Sequence, residues 1–264
     1  MKANIASYDR VVVAFSGGVD SSYLLAVCLD VLGKDRVLAL TADSPLLPRA
    51  ELGTARKVAR SLGARHGVLA FDELVIPSIA SNLPRRCYYC KKARFEAMLE
   101  YVGREMSGAE LLHGENADDQ LDYRPGSAAA RELHVRAPLA EASLTKAEIR
   151  ELSRRRGLAT WDQPANACLA TRFPYHVALT REGLQRVEQA EKWLCDHLDL
   201  RQVRVRDHYP IARIEVSPEQ IERLVGAEVR AEIVQALCGL GYRYVTVDLS
   251  GYRMGSMNGD IEKE

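Results

Sequence analysis

The chain has 264 residues, 36 of them Lys or Arg and 36 Asp or Glu, for a formal net charge of zero. A composition that is 47% hydrophobic and 27% charged is that of a globular protein with a sizeable core, and the balanced charge argues against a nucleic-acid or membrane-surface partner. No apolar run reaches the ~18 residues of a membrane span, and the first ten residues lack the apolar centre of a signal peptide. A cytoplasmic location is therefore expected, and the six cysteines read as metal ligands, reactive thiols or core residues before disulfides.

In chain order, strand-like segments at 10–16, 36–42, 65–71 and 110–114 alternate with helical patterns over 20–32, 48–62 and 88–106. That alternation predicts a parallel sheet with helices on both faces and a ligand site at the carboxyl ends of the strands. A further helix is predicted over 145–156, with Thr145 as N-cap, Glu148 at capping-box spacing and Gly157 as its stop. From 161 to 175 two prolines and mixed polarity predict a functional loop. Beyond it come a helix over 180–198, strands at 202–208 and 212–216, helices at 218–224 and 228–240, and a strand at 244–249. The expected fold class is α/β, with a parallel-sheet domain over 1–176 and a smaller C-terminal α+β domain over 177–264.

Residues 11–22, Val-Val-Val-Ala-Phe-Ser-Gly-Gly-Val-Asp-Ser-Ser, carry the strongest local signal. The β-branched run reads as a buried parallel strand, and Asp20-Ser21-Ser22 then opens a helix. Gly17 and Gly18 let the backbone turn sharply and approach a ligand. A helix N-terminus flanked by the hydroxyls of Ser16, Ser21 and Ser22 favours an anion. No Lys follows the glycines, which separates this corner from the Gly-Lys-Ser/Thr loop that holds β- and γ-phosphates. The corner resembles the PP-loop of ATP pyrophosphatases, of the adenine nucleotide alpha hydrolase-like type. That resemblance implies ATP with Mg²⁺ as the ligand and Asp20 among the catalytic groups.

In a PP-loop fold the end of the second strand lies beside adenine and ribose, which makes Thr41 and Ser44 candidate nucleotide contacts; the alternative is a polar strand end before a turn. Gly114 permits close backbone approach at the end of the fourth strand, and Asp118, Asp119 and Asp122 offer hard oxygens for Mg²⁺ or caps for the next helix. Arg124-Pro-Gly reads as a fixed turn presenting a cation. Alternation puts Arg204 and Arg206 on one strand face, with Arg213 on the following strand. Two guanidinium groups on one face suit a phosphate or carboxylate, the alternative being cross-strand pairing with Glu215.

Cys87-Tyr-Tyr-Cys90 precedes a Lys- and Arg-rich helix, and Cys168 sits in the irregular loop. A CxxC pair can be half of a zinc site, a redox dithiol or part of an iron–sulfur site, and no second CxxC or paired histidines occur at finger-like spacing. Thiolates from Cys87, Cys90 and Cys168 would leave one iron of a [4Fe–4S] cluster open to carry a hydrosulfide; spacing alone leaves this and unliganded thiols both standing. Cys168 can instead be a nucleophile, its thiolate favoured by Arg172 four residues on. Cys28, Cys195 and Cys238 read as small buried hydrophobes.

Taken together, Ser16-Gly-Gly-Val-Asp-Ser, Gly114…Asn116-Ala-Asp-Asp…Asp122-Tyr-Arg-Pro-Gly126 and Pro164…Ala167-Cys-Leu-Ala-Thr-Arg-Phe-Pro-Tyr175 resemble the LarE family of ATP-dependent sulfur transferases. The resemblance continues through Arg204-Val-Arg206, Ala212-Arg-Ile-Glu215 and Asp248-Leu…Gly251-Tyr-Arg…Gly255-Ser-Met-Asn258, and so covers nearly the whole chain. It implies that a carboxylate of a pyridinium biscarboxylate mononucleotide attacks the α-phosphate of Mg-ATP. Pyrophosphate would leave into the 16–22 corner, and a sulfur nucleophile would then add at the activated carbonyl. In single-cysteine members the residue matching Cys168 gives up its sulfur and becomes dehydroalanine. Cys87 and Cys90 make this chain similar to three-cysteine members that hold a [4Fe–4S] cluster. The resemblance further implies that Arg204 and Arg206 lie near the substrate phosphate; Arg124, Arg172 and Arg213 are further candidate substrate contacts. It implies Glu191 and Glu215 as divalent-metal ligands and a homo-oligomeric assembly; it does not identify the sulfur donor. Rival readings are an amidating PP-loop synthetase, which would need an ammonia source, a tRNA-thiolating enzyme, which the balanced charge disfavours, and a non-catalytic nucleotide-binding protein.

Overall fold

The computed structural model describes residues 1–121, 125–164 and 167–253. The elements of the first half are α1 (Lys2–Ala6), β1 (Val11–Ala14), α2 (Val19–Leu32), β2 (Val37–Asp43), α3 (Arg49–Ser61), β3 (Arg65–Ala70), α4 (Pro77–Ala80), α5 (Arg86–Glu105) and β4 (Glu110–His113). They continue with α6 (Ala117–Leu121), α7 (Pro125–Glu132), α8 (Pro138–Glu141), α9 (Lys146–Arg155) and α10 (Arg181–Leu198). The last are β5 (Arg204–His208), β6 (Ile211–Glu215), α11 (Pro218–Val225), α12 (Ala227–Gly239) and β7 (Tyr244–Val247). The chain divides into two compact units, Met1–Glu73 with Arg85–Asn166, and Leu74–Pro84 with Ala167–Glu264.

The first unit is built on a four-stranded parallel sheet in the order β3-β2-β1-β4. β1 is an interior strand, and its valines are buried on both faces for that reason. Side chains alternate along it: Val11 and Val13 join Val37, Ala39 and the apolar side chains of α2, while Val12 joins Leu38, Leu40 and Phe95, Met98 and Val102 of α5. The α/β expectation with helices on both faces is met here, and each sequence-predicted strand and helix lies within a few residues of its observed bounds. The capping box of α9 also forms: Thr145 Oγ1 accepts from Glu148 N–H (3.3 Å), and the Glu148 carboxylate accepts from Thr145 N–H (2.9 Å).

The second unit has a three-stranded sheet in the order β5-β6-β7, antiparallel between β5 and β6 and parallel between β6 and β7. Its apolar face, with Val205, Ala212 and Ile214, packs with Ala190, Leu194 and Leu198 of α10 and with Ile233 and Leu237 of α12. The segment 74–84 is tied to the same unit by Asn82, whose side-chain amide donates to Pro174 O (2.8 Å) and whose carbonyl accepts from His176 N–H (3.1 Å). Within the stretch read from sequence as loop, Leu169–Arg172 forms a 3-10 turn. One cysteine expectation fails. Cys28 is buried and Cys195 half-buried, but Cys238 is exposed, because Leu237 takes the inward position and the next residue is rotated ~100° away from it. Among the described residues no helix is long and apolar enough to cross a membrane.

Candidate functional site

In the first unit the phosphate corner forms where β1 ends and α2 begins. Ser16 N–H donates to Ser21 Oγ (3.3 Å), the Ser16 and Ser21 hydroxyls are 3.1 Å apart, and Ser21 Oγ–H donates to Gly18 O (3.2 Å). The serines thus lock the turn as well as offering donors. Gly17 has φ +75°, and a Cβ there would stand 2.7 Å from Ala55 Cα of α3. A Cβ on Gly114 would stand 2.9 Å from Ser21 N, so the end of β4 lies flush against the first turn of α2. Both glycines are required by backbone approach, as the sequence reading held.

Asp20 Oδ2 pairs with Lys146 Nζ at 2.5 Å, while Asp20 Oδ1 and the fully buried Ser22 Oγ meet no partner among the described residues. Asp118 is a cap: its Oδ2 accepts from Lys146 N–H at 2.8 Å. Asn116 and Asp119 exchange backbone-to-side-chain bonds of 3.2 Å each at the start of α6. Asp122 and Arg124 lie outside the described residues. Thr41 and Ser44 are both buried. The Thr41 hydroxyl donates to Phe15 O (2.7 Å) and sits 2.8 Å from His66 Nε2, which therefore donates to it. Burial, with Arg56 nearby, lowers the His66 pKa and keeps the ring neutral. Ser44 Oγ accepts from Leu46 N–H (3.2 Å). These two side chains hold the strand end beside the corner.

Cys87 and Cys90 stand one turn apart at the start of α5, the first exposed and the second half-buried. Cys90 Sγ is 3.8 Å from Oε1 of the buried Glu73 and 3.6 Å from an Arg94 nitrogen, and Arg94 pairs with Glu73 at 2.5 Å. Arg86, also buried, lies 3.6 Å from Cys87 Sγ. The end of β4 carries a second buried group: Lys91 meets Glu115 at 3.2 Å, and His113, 3.9 Å from Glu115, has its pKa pushed down to about 3 by burial and by Lys91.

In the second unit the polar face of the small sheet carries Arg204, Arg206, Arg213 and Glu215. Register sets Arg204 opposite Glu215 and Arg206 opposite Arg213. Glu215, fully buried, takes Arg206 at 2.6 Å and Arg213 at 3.1 Å, so the cross-strand pairing foreseen as an alternative is present. Glu191 receives Arg172 through two bonds of 2.9 Å and also accepts from Val205 N–H at 3.0 Å. Arg172 in turn donates to the carbonyls of Ala167 (2.7 Å) and Cys168 (3.0 Å), fixing the backbone at the half-buried Cys168. Arg204 differs from its neighbours. It is buried, donates to Val203 O (2.8 Å), lies 5.5 Å from the Tyr252 ring, and meets no carboxylate among the described residues. Burial first, then Arg172, pulls its pKa down against the opposing charge of Glu191. Among the described residues no three His, Cys, Asp or Glu side chains gather as a metal site.

Sequence reading missed Lys146, Glu73 and Arg94. The first sits 126 residues from its partner, and none lies in a motif that spacing could expose.

Comparison with known proteins agrees with this geometry. The NAD synthase family model matches residues 2–85, which include the phosphate corner. An uncharacterized protein of Synechocystis sp. is 42% identical over 255 residues, 97% of this chain and 94% of its own length. The pyridinium-3,5-bisthiocarboxylic acid mononucleotide synthase of Lactiplantibacillus plantarum is 39% identical over 261 residues, 99% of this chain and 93% of that enzyme. A tRNA-specific 2-thiouridylase of Dinoroseobacter shibae is 32% identical over 194 residues, covering 60% of this chain and 50% of that enzyme.

Proposed function

The chain belongs to the pyridinium-3,5-bisthiocarboxylic acid mononucleotide synthase (LarE) family of PP-loop proteins, and from that premise we propose that it is an ATP-dependent sulfur transferase acting on the corresponding biscarboxylate mononucleotide. A substrate carboxylate oxygen attacks the α-phosphorus of Mg-ATP, the bond from that phosphorus to the bridging oxygen breaks, and pyrophosphate leaves with the electron pair. Sulfur then replaces AMP at the acyl carbon, giving the thiocarboxylate. The observation that carries the reading is near-full-length similarity to the Lactiplantibacillus synthase joined to a glycine-walled corner at a helix N-terminus whose own turn, residues 16–22, contains no lysine.

In this reading the α2 N-terminus, Ser16, Gly17, Gly18, Ser21 and Ser22 receive the pyrophosphate, and Asp20 presents to Mg²⁺ the oxygen that meets no partner among the described residues. Thr41 and Ser44 shape the nucleoside side of the corner, and Gly114 keeps the α2 turn accessible. Arg204 binds the substrate phosphate as the guanidinium that pairs directly with no carboxylate among the described residues, with Arg206, Arg213 and Arg172 completing a cationic surround. Glu191 and Glu215 act there by orienting those arginines; a divalent-metal role would require them to release Arg172 and Arg206.

The donor chemistry of the Cys87 and Cys90 thiols, one helical turn apart, fits two corners of an iron–sulfur cluster, with the thiol of Cys168 as third ligand. Such a [4Fe–4S] group, when bound, supplies a sulfide for transfer. The alternative, sacrifice of the Cys168 sulfur, rests on the arginine-fixed backbone of that residue.

The test is incubation of anaerobically purified protein with Mg-ATP and the biscarboxylate mononucleotide, following AMP, pyrophosphate and the product mass. Acceptor-dependent pyrophosphate release with oxygen-for-sulfur exchange is expected. Pyrophosphate release without any acceptor, or exchange without ATP, refutes the reading. Iron and acid-labile sulfide that fall in Cys87→Ser and Cys90→Ser mark the cluster route, whereas an iron-free sample whose Cys168 loses sulfur mass during turnover marks the sacrificial one.

A further inference from the structure

We propose that His208 is a further substrate-binding residue of the second unit, a ring N–H donor to the mononucleotide phosphate beside Arg204 and Arg206. The two faces of β5 are distinct. Val205 joins the apolar core with α10, and Asp207 meets Arg186 of α10 (3.2 Å) and the Tyr242 hydroxyl (3.2 Å). Period-two alternation sends Arg204, Arg206 and His208 to the opposite, polar face. Neighbours on one face of a strand stand ~6.6 Å apart, a separation that long side chains close around one tetrahedral anion.

His208 Nε2 is buried and meets no partner among the described residues. The charged groups around the ring are Arg213, Asp207, Arg206 and Glu215. Burial, then Arg213, lowers its pKa, so the imidazole is neutral beside two guanidinium groups. A buried ring nitrogen left without a partner is destabilising. The two carboxylates nearby are already engaged, Glu215 by Arg206 and Arg213, and Asp207 by Arg186. A phosphate oxygen of the ligand supplies the acceptor, and the Nε2–H tautomer then adds a donor without adding another positive charge for the fold to hold. Register sets His208 opposite Ile211, and Ile211 opposite Tyr244. Both of those side chains are exposed, whereas Arg204 and Arg206 are buried, so His208 marks the open end of the polar face. A ligand that reaches the guanidinium groups along that face passes the imidazole.

This inference rests on the mononucleotide reading of the site, and calorimetric titration of the full chain with the biscarboxylate mononucleotide and, separately, with Mg-ATP keeps the two apart. His208→Phe retains the bulk of a ring and loses the donor, whereas His208→Gln loses the ring and retains an N–H donor. His208→Phe should weaken the mononucleotide about 10- to 100-fold, the range of one hydrogen bond to a charged group, with ATP affinity near that of the wild type. His208→Gln should recover part of that loss. Unchanged mononucleotide affinity in His208→Phe overturns the role of His208. A His208→Gln protein that binds no better than His208→Phe overturns it too, because ring packing then accounts for the effect. Equal loss of both ligands in the two variants marks a general disturbance of the fold and is a third refutation. A wild type that binds ATP but no mononucleotide overturns the substrate reading itself.

Discussion

Replacing Gly17 by alanine separates two penalties built into the phosphate corner. Gly17 has φ +75°, and an added methyl would stand 2.7 Å from Ala55 Cα and 2.9 Å from Ala55 N. Gly63, just past the end of α3, has φ +65° with nothing within 4 Å of its Cβ position. Gly63→Ala therefore incurs left-handed strain alone, about 1–2 kcal/mol. Gly17→Ala adds overlap with a helix backbone that cannot rotate away, a further ~1–3 kcal/mol by analogy with overpacked cores. Loss of unfolded-state freedom offsets about 0.4–1 kcal/mol in both variants and cancels in their difference. Urea unfolding of the two, at unchanged m, should place Gly17→Ala below Gly63→Ala by about 1–3 kcal/mol. AMP formation should fall in Gly17→Ala and stay near wild type in Gly63→Ala, because only the first displaces the donors of the corner. Equal stability losses would refute the view that α3 forms a rigid wall of the site.

Two further outcomes follow from burial. The Cys28 thiol is buried and its pKa is pushed up to about 12 by desolvation, whereas Cys87 and Cys238 are exposed. Alkylation of the native protein near pH 8, read by peptide mass, should modify Cys238 early and Cys28 only on unfolding; equal rates would contradict the packing of α2. His113 stays neutral in the folded chain down to about 3, against ~6.5 unfolded, so the unfolded state binds the extra proton between those values. Its stability contribution is complete above ~6.5 and is lost as pH falls through that window, at up to about 1.4 kcal/mol per pH unit. Lys91 and Glu115 face the ring, so the comparison is with His113→Gln in the same background, which should lose stability less steeply over that range. Parallel slopes for the two proteins would refute the assignment.

Much of this was legible in sequence because the signals are short-range. Three valines before two glycines specify an interior parallel strand and a tight exit, and period-2 alternation places Arg204 and Arg206 together on one face. The capping box at Thr145 and Glu148 was readable for the same reason. The partners were not. Arg172 finds Glu191, and Lys146 finds Asp20, through tertiary folding that no residue spacing encodes. Segments α6, α7 and α8 are too short for apolar periodicity to build up, and α4 falls in the segment 74–84, whose ties to 174–179 are backbone and Asn82 bonds across ninety residues of chain. Cys238 misled because a helical cysteine among apolar neighbours carries no mark of which side it faces.

The charges of the two units share one logic. In the small sheet, Arg172 is answered by Glu191, and Arg206 and Arg213 by Glu215, leaving Arg204 as a buried guanidinium that pairs directly with no carboxylate among the described residues. In the phosphate corner, Lys146 pairs with one oxygen of Asp20, and the other oxygen meets no partner among the described residues. A buried ion without its counter-ion is costly, and folds that keep one recover the cost when a ligand supplies the missing charge. The charge at Arg204 is positive and asks for an anion, whereas the second Asp20 oxygen is an open acceptor that suits a cation. Under the proposed reading these are the substrate phosphate and the magnesium of Mg-ATP. Arg204→Gln should then weaken the mononucleotide far more than ATP, and Asp20→Asn should do the reverse.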